Sequence, residues 1–257
     1  MTPYSDYDRF AWVYNKHWGD EYAQQVLPIL ENLVLCNLPA KASILDLCCG
    51  TGQLARTLTA LGYKVTGLDR SEEMLYFARE KAPSGEFIVA DARSFKLPNV
   101  YHAVVSTFDS LNHIMSLEEL TDVFRNVHAA LREKGLFFFD LNMEEGFKTT
   151  WHDSFGIVED NLVCVVRFSY TPEERTAQFD TTTFYPQQQG WQRSDLTLVQ
   201  KCYSDAEVRS ALSTAGFAKI HVYSHDEQRG LAELNIEPER AFFVCQKPEG
   251  TKSDQES

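Results

Sequence analysis

The residues with the clearest chemical capacity sit at the ends of three apolar runs. "ILDLCCGTGQLA" (residues 44–55) reads as a buried strand, a glycine turn and the start of a helix. Gly50, Gly52 and Ala55 fit G-x-G-x-x-G/A, in which glycines let the backbone approach a nucleotide at a helix N-terminus. A nicotinamide dehydrogenase is the first reading that this pattern suggests. Asp69 closes the next run, "YKVTGLD", where a carboxylate can accept both ribose hydroxyls of an adenosine, whichever cofactor carries it. Asp91 closes "EFIVADA", placed to accept from an adenine amino group. Asp46 lies inside the first run, before Gly50. There it either meets a cationic amino group or caps the turn. It gains nothing from a pyrophosphate, and a dinucleotide carries its negative charge where Asp46 would point.

The elements that must position these residues alternate regularly from residue 43. After "SILDLCC", "QLARTLTAL" has helical spacing and ends at Gly62. After "YKVTGLD", Ser71 can cap "SEEMLYFAREKA", with Glu72 and Glu73 in its first turn. "EFIVADA" and "HAVVSTF" make strands three and four. "SLEELTDVFRNVHAALREKG" opens with a Ser116/Glu119 capping box, carries an apolar stripe and ends at Gly135, and "LFFFDLN" is strand five. This rhythm predicts a doubly wound, mostly parallel α/β sheet with ligands at the carboxyl ends of the strands.

The rhythm breaks after Asn142. "NLVCVVRFSY", "TAQFDTTTFY" and "SDLTLVQKCY", separated by "TPEER" and "PQQQG", read as an antiparallel insert. A capping box at Ser204/Glu207 starts another helix, and two last strands, "FAKIHVYS" and "RAFFVCQK", bring the main sheet to seven. The expected layout is an N-terminal helical lid over 1–40, a main domain over 41–142 and 204–247, an antiparallel insert over 143–203 covering the substrate side, and a disordered tail over 248–257.

Composition narrows the partners. The 257 residues include 37 acidic and 24 basic side chains, for a net charge of -13. That balance gives nucleic acid and anionic membranes no general electrostatic footing and favours a small-molecule partner. Six cysteines lack C-x-x-C or zinc spacing, "MTPYSDYDRF" has no apolar signal core, and no apolar run approaches the ~20 residues that span a bilayer. A cytoplasmic protein with reduced thiols is expected. No His, Asp or Glu cluster has metal spacing, so a metal-independent protein is expected too.

Taken together, "ILDLCCGTG", "VTGLDRSEEML", "FIVADAR" and "VVSTFDSLNHI" resemble the motifs of class I S-adenosylmethionine-dependent methyltransferases, a Rossmann-like fold. "YDRFAWVYNKHW" (residues 7–18) and the insert after strand five are similar to bacterial small-molecule members, including N,N-dimethyltransferases of nucleotide-linked amino sugars. Asn15 replaces the acid usual in that segment. The resemblance implies S-adenosyl-L-methionine as cofactor. It implies that Gly50 and Gly52 lie against its methionine part, that Asp69 holds the ribose and Arg70 flanks the adenine, and that Asp91 with Ala92 reads the adenine edge. Phe108 would border the methyl group and Tyr14 close over the sulfonium; plain core, and an aromatic on an amphipathic helix, are the competing readings.

Methyl displacement from a sulfonium demands mainly positioning. An amine acceptor must arrive neutral, whereas a hydroxyl usually needs a base. His113 in "FDSLNHI" is the best-placed base, with a helix-start histidine satisfied by backbone or facing solvent as the other reading. His17 and the pair His225/Asp226 are weaker candidates. The N/D-P-P-Y of base-modifying methyltransferases is absent, with "STFDS" in its place. A methyltransferase acting on an amine or hydroxyl of a small molecule leads. A catalytically silent cofactor-binding partner subunit comes second and a dehydrogenase third. The insert's aromatics, among them Phe168, Phe179 and Trp191, form either an aromatic wall for an apolar or sugar acceptor or the ordinary core of a small sheet. An exposed insert edge could pair two copies as a homodimer.

Overall fold

The computed structural model describes residues 6–188, 190–226, 230–233 and 238–250. Residues 251–257, most of the expected tail, lie outside them.

A 3₁₀ turn (Asp6–Arg9) leads into α1 (Ala11–His17) and α2 (Gly19–Leu33). Then follow β1 (Ser43–Leu47), α3 (Gln53–Ala60), β2 (Lys64–Asp69), α4 (Glu72–Lys81), β3 (Glu86–Val89), β4 (Tyr101–Ser106), α5 (Leu117–Ala130), β5 (Leu131–Asn142) and α6 (Glu144–Thr150). The insert holds β6 (Ser154–Glu159), β7 (Leu162–Thr171), β8 (Thr176–Gln187) and β9 (Gly190–Lys201). The chain returns through α7 (Asp205–Thr214), β10 (Ala218–Asp226), β11 (Gly230–Glu233) and β12 (Arg240–Gln246).

The large sheet runs β11-β10-β12-β5-β4-β1-β2-β3, and the insert forms a separate antiparallel sheet, β6-β7-β8-β9. Strands β1 to β5 are parallel neighbours, whereas β12 lies antiparallel to β5. Burial on both faces explains the continuous apolar runs: Ile44, Leu45, Leu47, Val104, Val105 and Phe137–Phe139 are all fully buried. One face packs on α5 and α7, the other on α2 and α3.

The large sheet has eight strands where seven were expected. The addition is β11, a four-residue edge strand on β10. Its "GLAE" carries no β-branched or aromatic residue, so no strand signal marks it. Helix α5 ends at Ala130 rather than Gly135, because Leu131 already pairs with Tyr101 and the register slips before Leu136 meets Ala103. Only half of the Ser116/Glu119 box forms. Ser116 accepts from the Glu119 amide, but the Glu119 carboxylate turns to Arg93. At Ser204/Glu207 both halves are present.

The insert sheet turns one face towards the N-terminal helices. Cys164, Val166, Phe168 and Phe179 pack with Phe10, Val13, Tyr14 and Trp18, so the cleft at the strand ends is walled on three sides. Among the described residues no helix is long and apolar enough to cross a membrane.

Candidate active site

The glycine turn is shaped from the backbone outward. Cys48, Gly50 and Gly52 all have positive φ (59°, 52° and 80°), and only the glycines adopt it without Cβ strain. The Gly50 amide donates to Asp69 Oδ2 at 2.9 Å and the Ser71 amide to Asp69 Oδ1 at 2.9 Å. Those two bonds aim the β2 carboxylate across the turn. Burial pushes the Asp69 carboxyl up, and the Ser71 and Gly50 amides oppose it. The Ser71 hydroxyl in turn donates to Asp8 of the N-terminal segment.

A cavity of about 560 Å³ opens between these strand ends, the N-terminal segment and the insert. Tyr14, Gly50, Asp69, Arg70, Asp91, Ala92, Phe108 and His113 all line it. Gly52 and Asp46 are not among the residues that line it. A Cβ on Gly52 would stand 2.8 Å from Ala78, so that glycine serves the close packing of the turn against α4. Asp46, only 2% exposed, lies beneath the turn, with Oδ2 lacking any hydrogen-bond partner.

Burial, with the charge of Asp69, raises the Asp46 carboxyl to about 8, against an opposing Ala55 amide. The unfolded chain releases that proton near pH 4, so the folded protein holds an extra proton between about pH 4 and 8 and loses up to ~1.4 kcal/mol of stability per pH unit across it. Asp46→Asn should remove that slope. Urea denaturation of the ligand-free protein at pH 5 and 7.5 is expected to show wild type losing up to about 3 kcal/mol more than the variant; parallel losses would mean that Asp46 is not protonated.

Asp91 is not a free acceptor. Arg93 grips it with Nε at 2.9 Å and Nη2 at 2.6 Å, and donates from Nη1 to Glu119 at 2.8 Å. The Arg93 guanidinium holds the Asp91 carboxyl below its usual range. Arg70 Nε stands 3.9 Å from Asp91. Arg93 escaped the sequence reading although "VADAR" places it two residues from its partner.

Behind strand four lies a polar network that no motif announced. Phe108 and Asp109 both adopt positive φ (63° and 47°), and their amides donate to the two oxygens of Asp140 at 2.8 and 3.0 Å. Arg240 donates to Asp140 and, at 2.7 Å, to Asp109 Oδ1. Its guanidinium lies 5.0 Å from the Tyr22 ring, which stacks on Phe108 at 4.3 Å. With both carboxyls ionised, the cluster carries one negative charge in excess beside the cavity. Gln200 donates to Asp109 and stands 3.3 Å from His113 Nε2.

His113 is held at both nitrogens. Nδ1 lies 2.8 Å from the Val199 carbonyl and must donate, so Nε2 accepts from the Tyr7 hydroxyl at 2.9 Å. Burial lowers its proton affinity, leaving a neutral ring with a defined tautomer. Burial also pushes the Tyr7 and Tyr14 hydroxyls well up, with nearby Asp109 and Asp69 adding to it. His17 lies 3.6 Å from Glu159, and neither it nor the exposed His225 lines the cavity. The Asp226 side chain lies outside the described residues. Among the described residues no group of His, Cys, Asp and Glu could hold a metal ion.

An open, mostly parallel sheet with a glycine turn and an acid, Asp69, at its carboxyl edge has the architecture of a nucleotide-binding α/β protein. Residues 44–135 match the model of a methyltransferase domain. The putative methyltransferase YqeM of Bacillus subtilis (strain 168) is 30% identical over 246 residues, 94% of this chain and 97% of that protein. The dTDP-3-amino-3,4,6-trideoxy-alpha-D-glucopyranose N,N-dimethyltransferase of Streptomyces venezuelae is 28% identical, covering 83% of this chain and 90% of that protein. Among solved structures, SAM-bound CalS10, an amino pentose methyltransferase from Micromonospora echinaspora, superposes with a TM-score of 0.70 at 19% identity, over 93% of this chain and 96% of that one. The chain belongs to the S-adenosylmethionine-dependent methyltransferases, and its cofactor is S-adenosylmethionine. The residues present fit that group. Asp69 keeps acceptor capacity beyond its two amide bonds, and Gly50 leaves the turn open to the cavity.

Proposed function

We propose that the protein moves the methyl group of S-adenosylmethionine to an amine or hydroxyl of a small molecule by in-line displacement, and that an amine fits best. The observation that carries this reading is the continuity of the cavity: one space touches Gly50, Asp69 and Asp91 on one side and the insert on the other. Bound cofactor supplies an electrophilic methyl group. Asp69 holds the ribose, Arg70 flanks the adenine, Asp91 and Ala92 read its edge, and Phe108 and Tyr14 border the sulfonium end. The N-terminal segment and the insert keep water out while the acceptor is aligned, which is most of what this chemistry asks of a protein.

Two features favour an amine. Relatives methylate amino groups of dTDP-linked sugars. Asp109, on the cavity wall between Arg240 and Gln200, offers carboxyl acceptors to a cationic amine. Such an acceptor must shed a proton before attack. Tyr7 and His113 provide the route: the phenol oxygen accepts while its own proton passes to His113 Nε2, and nearby Asp109 steadies the resulting imidazolium.

Calorimetric titration tests the reading. S-adenosylmethionine and S-adenosylhomocysteine are expected to bind at about micromolar concentrations and NADH not at all. NADH binding in their place would return the dehydrogenase reading. Cofactor binding with no transfer to any of a broad panel of amines and hydroxyls would instead make the chain a silent cofactor-binding subunit.

A further inference from the structure

The two halves of the cavity differ in charge and in surface. Among the described residues its cationic lining residues are Arg70 and Arg93, which follow β2 and β3, and Arg240 at the start of β12. Arg93 is committed to Asp91 and Glu119, Arg240 to Asp109 and Asp140, and Arg70 stands closest to Asp91. The half that faces the insert is aromatic. Phe10 and Trp18 from the N-terminal helices face Trp151, Phe168 and Phe179. Their rings form a continuous wall, with centroids 5.1 Å apart for Phe10 and Trp18, 5.7 Å for Phe10 and Phe179, 5.3 Å for Phe168 and Phe179, and 5.1 Å for Trp151 and Phe168.

Polar groups in that half do not suit an anion. The Thr197 hydroxyl donates to Asp180 and the Thr150 hydroxyl to the Gly146 carbonyl. Thr150 and Trp151 stand at the C-terminal end of α6, where free carbonyls repel negative charge. A pyrophosphate taken out of water needs opposed guanidinium or ammonium groups, or several free amides. Among the described residues this half of the cavity lines up none of these. Rings packed edge to face and tilted offer instead dispersion, edge and face contacts to a flat ligand, and attraction for an ammonium group over their faces.

Resting on the methyltransferase reading, we propose that the acceptor is a phosphate-free amine carried on a flat aromatic body, seated against Phe10, Trp18, Trp151, Phe168 and Phe179. It is not a nucleotide-linked amino sugar of the kind named for the Streptomyces venezuelae relative. The amine points towards Asp109 and the Tyr7–His113 pair, and the body fills the aromatic half. The likeness to that relative, which runs over 83% of this chain, thus goes with a different chemistry in the acceptor half.

The test titrates protein saturated with S-adenosylhomocysteine, which keeps probes out of the cofactor half, with tryptamine, 2-phenylethylamine and thymidine diphosphate. The expected result is saturable binding of at least one arylalkylamine and none of thymidine diphosphate at the same concentrations. In the Phe168→Leu/Phe179→Leu double variant, which keeps apolar volume but removes two rings, arylalkylamine affinity should fall roughly tenfold, with S-adenosylhomocysteine affinity unchanged. Tighter binding of thymidine diphosphate overturns the proposal. So does a lack of saturable amine binding, or equal amine affinity in the leucine variant. Failure to bind S-adenosylhomocysteine at the first step would defeat the methyltransferase reading itself, and the two failures are thereby told apart.

Discussion

Arg240→Met is expected to cost about 3–5 kcal/mol of folding stability, on the order of 10 °C in Tm, because it leaves two buried carboxylates facing each other without their shared cation. Asp140 is fully buried near the carboxyl end of β5 and Asp109 is nearly so, while Arg240 reaches both from the first residue of β12. Methionine fills a similar volume, so lost packing is a minor part of the effect. Burial already raises the Asp140 carboxyl, and Arg240 is the main group opposing it. Without the arginine the folded value rises further above the unfolded one. The sign follows: the variant's deficit is smallest at acid pH, where both states are protonated, and grows as pH rises through the raised folded value. Adding Asp140→Asn to the variant should recover part of the loss, giving a coupling energy in a double-mutant cycle. Urea unfolding at pH 5 and 8 reads all three quantities. A loss below about 1 kcal/mol at both pH values would show that water, not Arg240, satisfies these carboxylates.

The contrast between Arg240 and the glycine turn explains what a sequence discloses. Gly50, Asp69 and Asp91 lie within one repeating strand–turn–helix unit, and their spacing alone brings them to one edge of the sheet. Local pattern therefore located them. Arg240 lies 131 residues from Asp109 and 100 from Asp140, and meets them only because β12 enters antiparallel beside β5. No periodicity records that pairing. The same holds for Tyr7 and His113, 106 residues apart, and for Gln200, which the insert sheet carries to Asp109. Asp46 and Gly52 show the converse. Both stand in the motif, but the direction in which a residue faces within a strand or turn decides whether it reaches the cavity, and the pattern of types does not encode it. In β11 the edge position needs no burial on its outer side, so selection for apolar or β-branched residues is weak and the strand is silent in the sequence.

Asp69→Ala should separate cofactor affinity from stability more cleanly than any other substitution in the cavity. In the ligand-free protein the carboxylate accepts one bond on each oxygen, from Gly50 and Ser71, so it is fixed in direction before any ligand arrives. A carboxylate has about four lone-pair sites, leaving two for a ribose diol. Charge-assisted hydrogen bonds contribute roughly 1.5–3 kcal/mol each, and the pair should be worth at least about 3 kcal/mol. S-adenosylhomocysteine affinity should therefore fall roughly a hundredfold or more. Stability should move little and in a predictable direction. Burial raises the Asp69 carboxyl, so keeping that charge in the cavity floor already works against folding at neutral pH, and alanine removes the penalty while water in the cavity satisfies the freed amides. Asp69→Asn keeps the shape and loses the charge, so its affinity should fall between the two. Calorimetry measures affinity and urea unfolding measures stability on the same samples. Wild-type affinity in a folded Asp69→Ala protein would remove Asp69 from the ribose site; a large loss of stability with it would mean that the carboxylate's main task is to hold the glycine turn.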